Sequence, residues 1–379
     1  MCAEREPLSD SDTSETPRPT GRRFPWRPAV GVALVAAMIA GVLVLRKPDY
    51  EPIVLEFRGE TMGSTYDVKV VDPSAHPGTR QAMERGIAGE LDLVNFTMSR
   101  FDPESELYRF NQRRDTSPFA MSETAIEVIA AARLVSERTD GAYDITVGPL
   151  MRLWGFQDRK PRTSTPSDAE IQAARAKVGW RLFEVDEKAR TVRKIDPEVE
   201  LDLGSIAPGA AVDRLANMFE AFDYESYMVE ISGEVRCHGM RPDRKPWRIG
   251  IEKPAPDGHE VEEVVELADT AMSTSGDYRQ FYMLDGKRVS HTMDPRTGRP
   301  ISHGLASVTV LHDECMMADA WATALDVLGP DDGYAMAERE GLAALFIARK
   351  PDGSFVRRET EAFTALRKRR TGVSRESAE

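Results

Sequence analysis

The chain has 379 residues, with 50 Lys and Arg against 63 Asp and Glu for a formal net charge of −13, and it is 41% hydrophobic and 30% charged. That composition excludes a disordered or collagen-like chain, and the length allows about two ordinary domains or one large α/β unit. Seven basic and six acidic residues lie in residues 1–50, so the acidity belongs to the body, which has no basic stripe and is not expected to bind nucleic acid.

Residues 1–27, rich in Ser, Thr, Pro and charge, read as a disordered cytoplasmic leader. Residues 28–45, PAVGVALVAAMIAGVLVL, carry no charge, and as a helix they would span ~27 Å, close to a bilayer core. Arg18, Arg22, Arg23 and Arg27 precede this run and Arg46 and Lys47 follow it. The positive-inside rule then predicts a single-pass inner-membrane anchor with the body on the periplasmic side. A cleavable signal peptide is the competing reading, since Arg22-Arg23 is a twin-arginine-like pair and small residues surround Ala40.

Segments 52–58 and 64–71 are β-rich and bracket Gly59 to Gly63, which predicts a strand pair, and residues 79–97 have helical apolar spacing. Ser122 is the expected N-cap of a helix over 122–138 that stops at Thr139-Asp140-Gly141. In RQFYMLDGKRVSHTMD, Asp285-Gly286 predicts a type I′ hairpin turn, with His291 on the returning strand. A strand at 305–311, helices at 316–328 and 331–341, and a strand at 343–348 complete the body. There is no internal repeat and no regular βαβ alternation, so the expected class is α+β, with mixed or antiparallel sheets and flanking helices. One catalytic domain is expected over 51–362 and a flexible basic tail over 363–379, in which Arg367 to Arg370 form a solvated run.

Cys2, Cys237 and Cys315 contain no C-x-x-C, so neither a disulfide framework nor a zinc cage is implied. Asp319 and Thr323 lie four apart and would share a helix face, presenting hard oxygen donors of the kind Mg²⁺ takes. The blander reading makes Asp319 a surface acid and Thr323 a residue bonding its own i−4 carbonyl. His291 is a general-base candidate, against a reading of Asp294-Pro295 as a structural Asp-turn. Asp202 precedes a glycine-punctuated turn into a helix, where backbone N–H groups meet ligands, but no P-loop Gly-Lys-Ser/Thr follows. Ser273, Thr274 and Ser275 lack the G-x-S-x-G elbow of a serine hydrolase.

Taken together, eight ordered segments resemble the ApbE family of FAD:protein FMN transferases over about residues 56–350. They are Thr61 to Thr65, MSRFDPESELYRFN (98–111), DGAYDITVGPLMRLWGF (140–156), LDLGSIAPGAAVD (201–213), ISGEVRCHG (231–239), STSGDYR (273–279), SHTMDPRTGRP (290–300) and MADAWATALDVLG (317–329). The resemblance implies an ApbE-like (T-fold-like) catalytic domain that uses Mg²⁺ to transfer FMN from its substrate FAD to a Thr or Ser hydroxyl of an acceptor, releasing AMP. It makes Asp319, Thr323, Ser205 and Ala322 the metal ligands, Ala322 through its backbone oxygen. It points to Met62, Phe101, Ala142, Tyr143, Asp144, Asp202, Pro208 and Met293 for FAD, and puts His291 with Asp319 at the reacting centre. The implied acceptors are FMN-binding domains of membrane redox complexes. Two residues depart from the family's pattern: Phe101 stands where Tyr is frequent, and Pro208 where Lys or Glu is usual. Phe keeps the stacking face, whereas Pro brings neither donor nor polar side chain. Two other outcomes of such a site are an FAD pyrophosphatase releasing FMN and AMP, and a non-catalytic FAD-binding module.

Overall fold

The computed structural model describes residues 53–72, 78–157, 160–255, 260–278 and 280–367. The run at 28–45 and the basic residues from Lys368 onward lie outside them. Among the described residues no helix is long and apolar enough to cross a membrane.

Eight strands form the main sheet: β1 (Ile53–Thr61), β2 (Ser64–Asp72), β3 (Tyr227–Ile231), β4 (Glu234–His238), β5 (Thr270–Gly276), β6 (Leu305–His312), β7 (Ala343–Arg349) and β8 (Phe355–Glu359). Their order across the sheet is their order in the chain, and every pairing is antiparallel. Such a meander needs no crossover helices, and this is why the sequence lacks a βαβ rhythm. The helices instead arrive as insertions. Between β2 and β3 come α1 (Thr79–Met98), α2 (Glu106–Gln112), α3 (Glu123–Arg138), α4 (Gly148–Leu153), α5 (Asp168–Arg175) and α6 (Ala207–Ala221), and between β6 and β7 lies α7 (Cys315–Arg339).

The β1–β2 junction is tighter than expected: Gly59 is within β1, opposite Tyr66, and the turn is Met62-Gly63 alone, with φ 52° and 74°. Positive φ at both central residues is the type I′ geometry that matches strand twist. Ser122 caps α3 as expected, accepting from the Ala125 N–H at 3.3 Å. The Asp285-Gly286 turn also forms, with φ 50° and 74°, although its ribbon (Phe281–Leu284 with Lys287–Ser290) is separate from the main sheet. His291 is not on the returning strand, as the sequence suggested; it sits in the bend between Lys287–Ser290 and the short strand Met293–Asp294. The two predicted C-terminal helices form as the two halves of α7, separated by the non-helical Gly329 (φ 83°, ψ −173°), where the His303 ring would lie 2.7 Å from an added Cβ. Beyond the expected domain boundary at 362, Phe363 is buried in the core on the sheet's second face.

One face of the sheet (Val68, Val70, Val229, Ile231, Val308, Val310) packs on α1, α3, α6 and α7 to make the principal core. Ala318, Ala320, Ala322 and Ala324 of α7 are all fully buried, and small side chains let this helix lie close to its neighbours. The closest approach is at Gly209 in the first turn of α6, where an added Cβ would sit 2.6 Å from the Cys315 carbonyl oxygen and 2.7 Å from Met316 Cα.

Asp213, one turn further along α6, fastens the same junction. The N-cap of α7, Glu314, makes no side-chain cap. Asp213 supplies it instead, accepting from the Cys315 N–H at 2.9 Å and the Met316 N–H at 2.8 Å while Arg236 donates to it at 2.7 Å. Asp213→Ala leaves two buried N–H groups unpaired and Arg236 with Glu220 alone at 3.2 Å, and is expected to cost about 2–4 kcal/mol of unfolding free energy in urea titrations. Asp213→Asn, which keeps an acceptor, should cost less.

Candidate active site

The segment 202–209 enters α6 beside the first turns of α7, and the two bring their polar groups together. The Gly209 N–H donates to Asp319 Oδ2 at 3.2 Å. Pro208 occupies the first turn of α6, where a missing N–H costs nothing, and leaves the next N–H for the carboxylate. Ser205 Oγ donates to the Tyr143 hydroxyl at 3.1 Å, and that hydroxyl lies 3.5 Å from the Ser205 carbonyl. Tyr143 is buried, and loss of solvent pushes its phenol above the ordinary range, so it stays protonated as a donor.

Asp319 is buried, not a surface acid, and burial pushes its carboxyl up to about 7. Glu234 at the start of β4 is also buried; desolvation first, then the charge of Asp319, raises it well above the usual range. Among the described residues no Lys or Arg pairs with either carboxylate. Thr323, one turn on from Asp319, is half-buried, and among the described residues its hydroxyl makes no hydrogen bond, to the i−4 carbonyl or elsewhere. Ala322 is fully buried and has only its backbone oxygen to offer. No three His, Cys, Asp or Glu side chains converge among the described residues. The donors at hand are a carboxylate, hydroxyls and carbonyls, the oxygen set of a hard divalent cation.

A second group lies at the approach to α6. Arg100 is paired with Asp202 at 2.5 Å, and its guanidinium lies 4.6 Å over the ring of Phe101. Phe101 is 69% exposed, an open aromatic face with a cation beside it. Met62, at the β1–β2 turn, packs half-buried against the main core. Ala142 is buried, and the Asp144 carboxylate is turned into its own loop, accepting from the Thr146 N–H at 2.8 Å and hydroxyl at 2.7 Å. Met293 is buried among Leu150, Trp154 and Ile171. The side chains of Ala142, Asp144 and Met293 face protein.

His291 stands on a third element. Its Nδ1 lies 3.1 Å from the Gln280 carbonyl, which also accepts the His291 N–H at 3.0 Å. A carbonyl only accepts, so Nδ1 carries the proton and Nε2 the free lone pair. Burial, outweighing the Gln280 carbonyl and Asp277, lowers the imidazole below its ordinary value. Asp294 belongs to the turn, accepting from the Arg296 N–H and guanidinium, each at 2.9 Å. The Asp-turn reading therefore holds for Asp294, which does not pair with His291. Ser273, Thr274 and Ser275 bond Glu234, Thr309 and Asp326, and among the described residues none of the three bonds a His.

Arg100, Gly209, Asp213 and Glu234 were not singled out in the sequence, although each lies inside a motif segment. Arg100 and Asp202 are 102 residues apart, and no local pattern announces a pair of that separation.

The fold and site define an α+β protein with a buried carboxylate held at a helix N-terminus near hydroxyl and carbonyl oxygens, a set suited to a hard cation. The chain belongs to the ApbE family, whose model matches residues 62–346. It is 40% identical over 317 residues to the FAD:protein FMN transferase of Vibrio cholerae, covering 83% of this chain and 93% of the relative. It is also 40% identical over 333 residues to the FAD:protein FMN transferase of Haemophilus influenzae, covering 86% and 96%. The crystal structure of the Pseudomonas stutzeri flavinyl transferase ApbE in its apo form superposes with a TM-score of 0.76 at 40% identity, over 85% of this chain and 99% of that one.

Proposed function

We propose that this chain is a Mg²⁺-dependent FAD:protein FMN transferase that moves FMN from FAD onto a Thr or Ser hydroxyl of an acceptor flavoprotein and releases AMP. The observation that carries the reading is the Asp319 carboxylate, buried with no cationic partner among the described residues, held by the Gly209 N–H and one helical turn from Thr323. Two buried carboxylates, Asp319 and Glu234, in a chain of net charge −13 fit a divalent cation better than an unassisted anionic dinucleotide. Asp319 and Thr323 side chains, with Ser205 and the Ala322 carbonyl, would hold Mg²⁺, which supplies charge neutralisation at the pyrophosphate.

The chain's own residues do the rest. Phe101 offers its exposed ring to a flat ligand, with the Arg100 guanidinium, itself paired with Asp202, lying against it. Met62, Ala142, Tyr143, Asp144 and Met293 shape the walls around FAD. The acceptor hydroxyl attacks the FMN-side phosphorus; a new P–O bond forms, the bridging P–O bond breaks, and AMP departs with the bridging oxygen. His291 Nε2 takes the hydroxyl proton, its tautomer fixed by Gln280. Phosphoryl transfer of this kind depends on positioning and electrostatics more than on covalent help.

Residues 28–45 are proposed as a single membrane anchor with this body on the extracytoplasmic side, where FMN-binding domains of membrane redox complexes would be acceptors. The charge-free run and its flanking arginines support this.

The test is the full chain with FAD and Mg²⁺, with AMP followed by chromatography in the presence and absence of an FMN-binding acceptor domain. AMP release that requires acceptor is expected. Equal release without it would mean a pyrophosphatase, and bound, intact FAD would mean a binding module; either would overturn the proposal.

A further inference from the structure

The face of α7 that carries Asp319 and Thr323 continues to Asp326, seven residues beyond Asp319 and three beyond Thr323. Asp326 is fully buried, at 0% exposure. Its Oδ2 accepts a hydrogen bond from the Thr292 hydroxyl at 3.0 Å and lies 3.5 Å from the Ser275 hydroxyl. Among the described residues its Oδ1 has no hydrogen-bond partner. Burying a carboxylate with one oxygen unmet is costly, and a hydrophobic residue would fill the same space without that cost. Stability alone therefore does not explain the residue.

What Asp326 reaches does explain it. Thr292 is the residue after His291, and its N–H is held in turn by Ser290 Oγ at 3.1 Å. Ser275 is on β5, the strand whose Ser273 bonds Glu234. One carboxylate thus joins three elements: the helix that bears Asp319 and Thr323, the bend that bears His291, and the strand running between them. The bend's other ties among the described residues run to neighbouring loops and not to α7: the Gln280 carbonyl holds the His291 N–H and faces Nδ1, and the Ile301 N–H donates to the Thr292 carbonyl at 3.0 Å.

We propose that Asp326 is a positioning residue of this site, holding the His291 bend at a fixed distance from the α7 donors through Thr292 and Ser275. This deepens the transferase reading and rests on it. Misplacing a base by about 1 Å is enough to cost up to about 10²-fold in rate. The effect belongs in kcat, because Asp326 touches neither FAD nor the acceptor.

The test measures kcat and the KM for FAD in the full chain for Asp326→Ala, Thr292→Val, the double variant and Thr292→Ser, with thermal unfolding of each. Thr292→Val is nearly isosteric and removes only the hydroxyl, so it decides the matter if Asp326→Ala fails to fold. In either single variant kcat is expected to fall about tenfold or more with KM within about twofold. The double variant should be no worse than the more impaired single one, and Thr292→Ser should keep most of the wild-type rate. Unchanged kcat in a folded Thr292→Val, additive losses, or a loss confined to KM would overturn the proposal. Failure of the wild-type chain to transfer FMN would instead overturn the underlying function, so the two failures are distinguishable.

Discussion

Asp319→Ala is expected to abolish FMN transfer, with a loss of about 10³-fold or more in kcat/KM, because on the proposed Mg²⁺ site a directly bound cation would contribute several kcal/mol and each ~1.4 kcal/mol is tenfold. The effect is separable from folding. The α6–α7 junction is held by Asp213 on the Cys315 and Met316 N–H groups, and Asp319 adds a single hydrogen bond from Gly209. Asp319→Asn keeps that acceptor and the side-chain volume while removing the charge. It should melt within a few degrees of wild type yet be nearly as inactive as the alanine variant. Raising Mg²⁺ should not restore either. A wild-type rate in Asp319→Asn would remove the carboxylate from the metal site.

His291→Ala is expected to lower kcat by about 10²–10⁴-fold while leaving FAD binding, read by flavin fluorescence, nearly unchanged. The pH profile carries an independent signature. Burial lowers the imidazole pKa, so the neutral, proton-accepting form persists to lower pH than a free histidine would allow. At saturating Mg²⁺, which would keep Asp319 ionised, activity should therefore hold through neutral pH and fall on the acid side with a midpoint below 6.5, the ordinary imidazole value. That limb should vanish from the residual activity of His291→Ala. A midpoint above 6.5 would place another group at the proton.

The parts of the fold legible in the sequence were those set by local chemistry. Ser122 at the start of α3, Asp285-Gly286 in its turn and the Gly329-Pro330 break in α7 each act through their own backbone. The meander was legible only as a class, because hydrophobic alternation identifies strands and not their neighbours. Met62 in the left-handed region is an example of what local propensity misses: the β1–β2 register imposes it. At the site, the i, i+4 spacing of Asp319 and Thr323 predicted a shared face, and the family resemblance supplied its meaning. Glu234, Arg100, Asp213 and Asp326 owe their roles to partners 23 to 103 residues away. Such pairings arise from sheet order and helix packing, which a single sequence does not encode locally.

The measurement that bears most directly on the central claim is intact-protein mass spectrometry of an FMN-binding acceptor domain incubated with the full chain, FAD and Mg²⁺. EDTA and an acceptor Thr→Ala variant serve as controls. The account predicts a gain of one FMN residue on the acceptor threonine, present with Mg²⁺ and absent in both controls. An unmodified acceptor beside a chain that binds FAD or hydrolyses it to FMN and AMP would contradict the account.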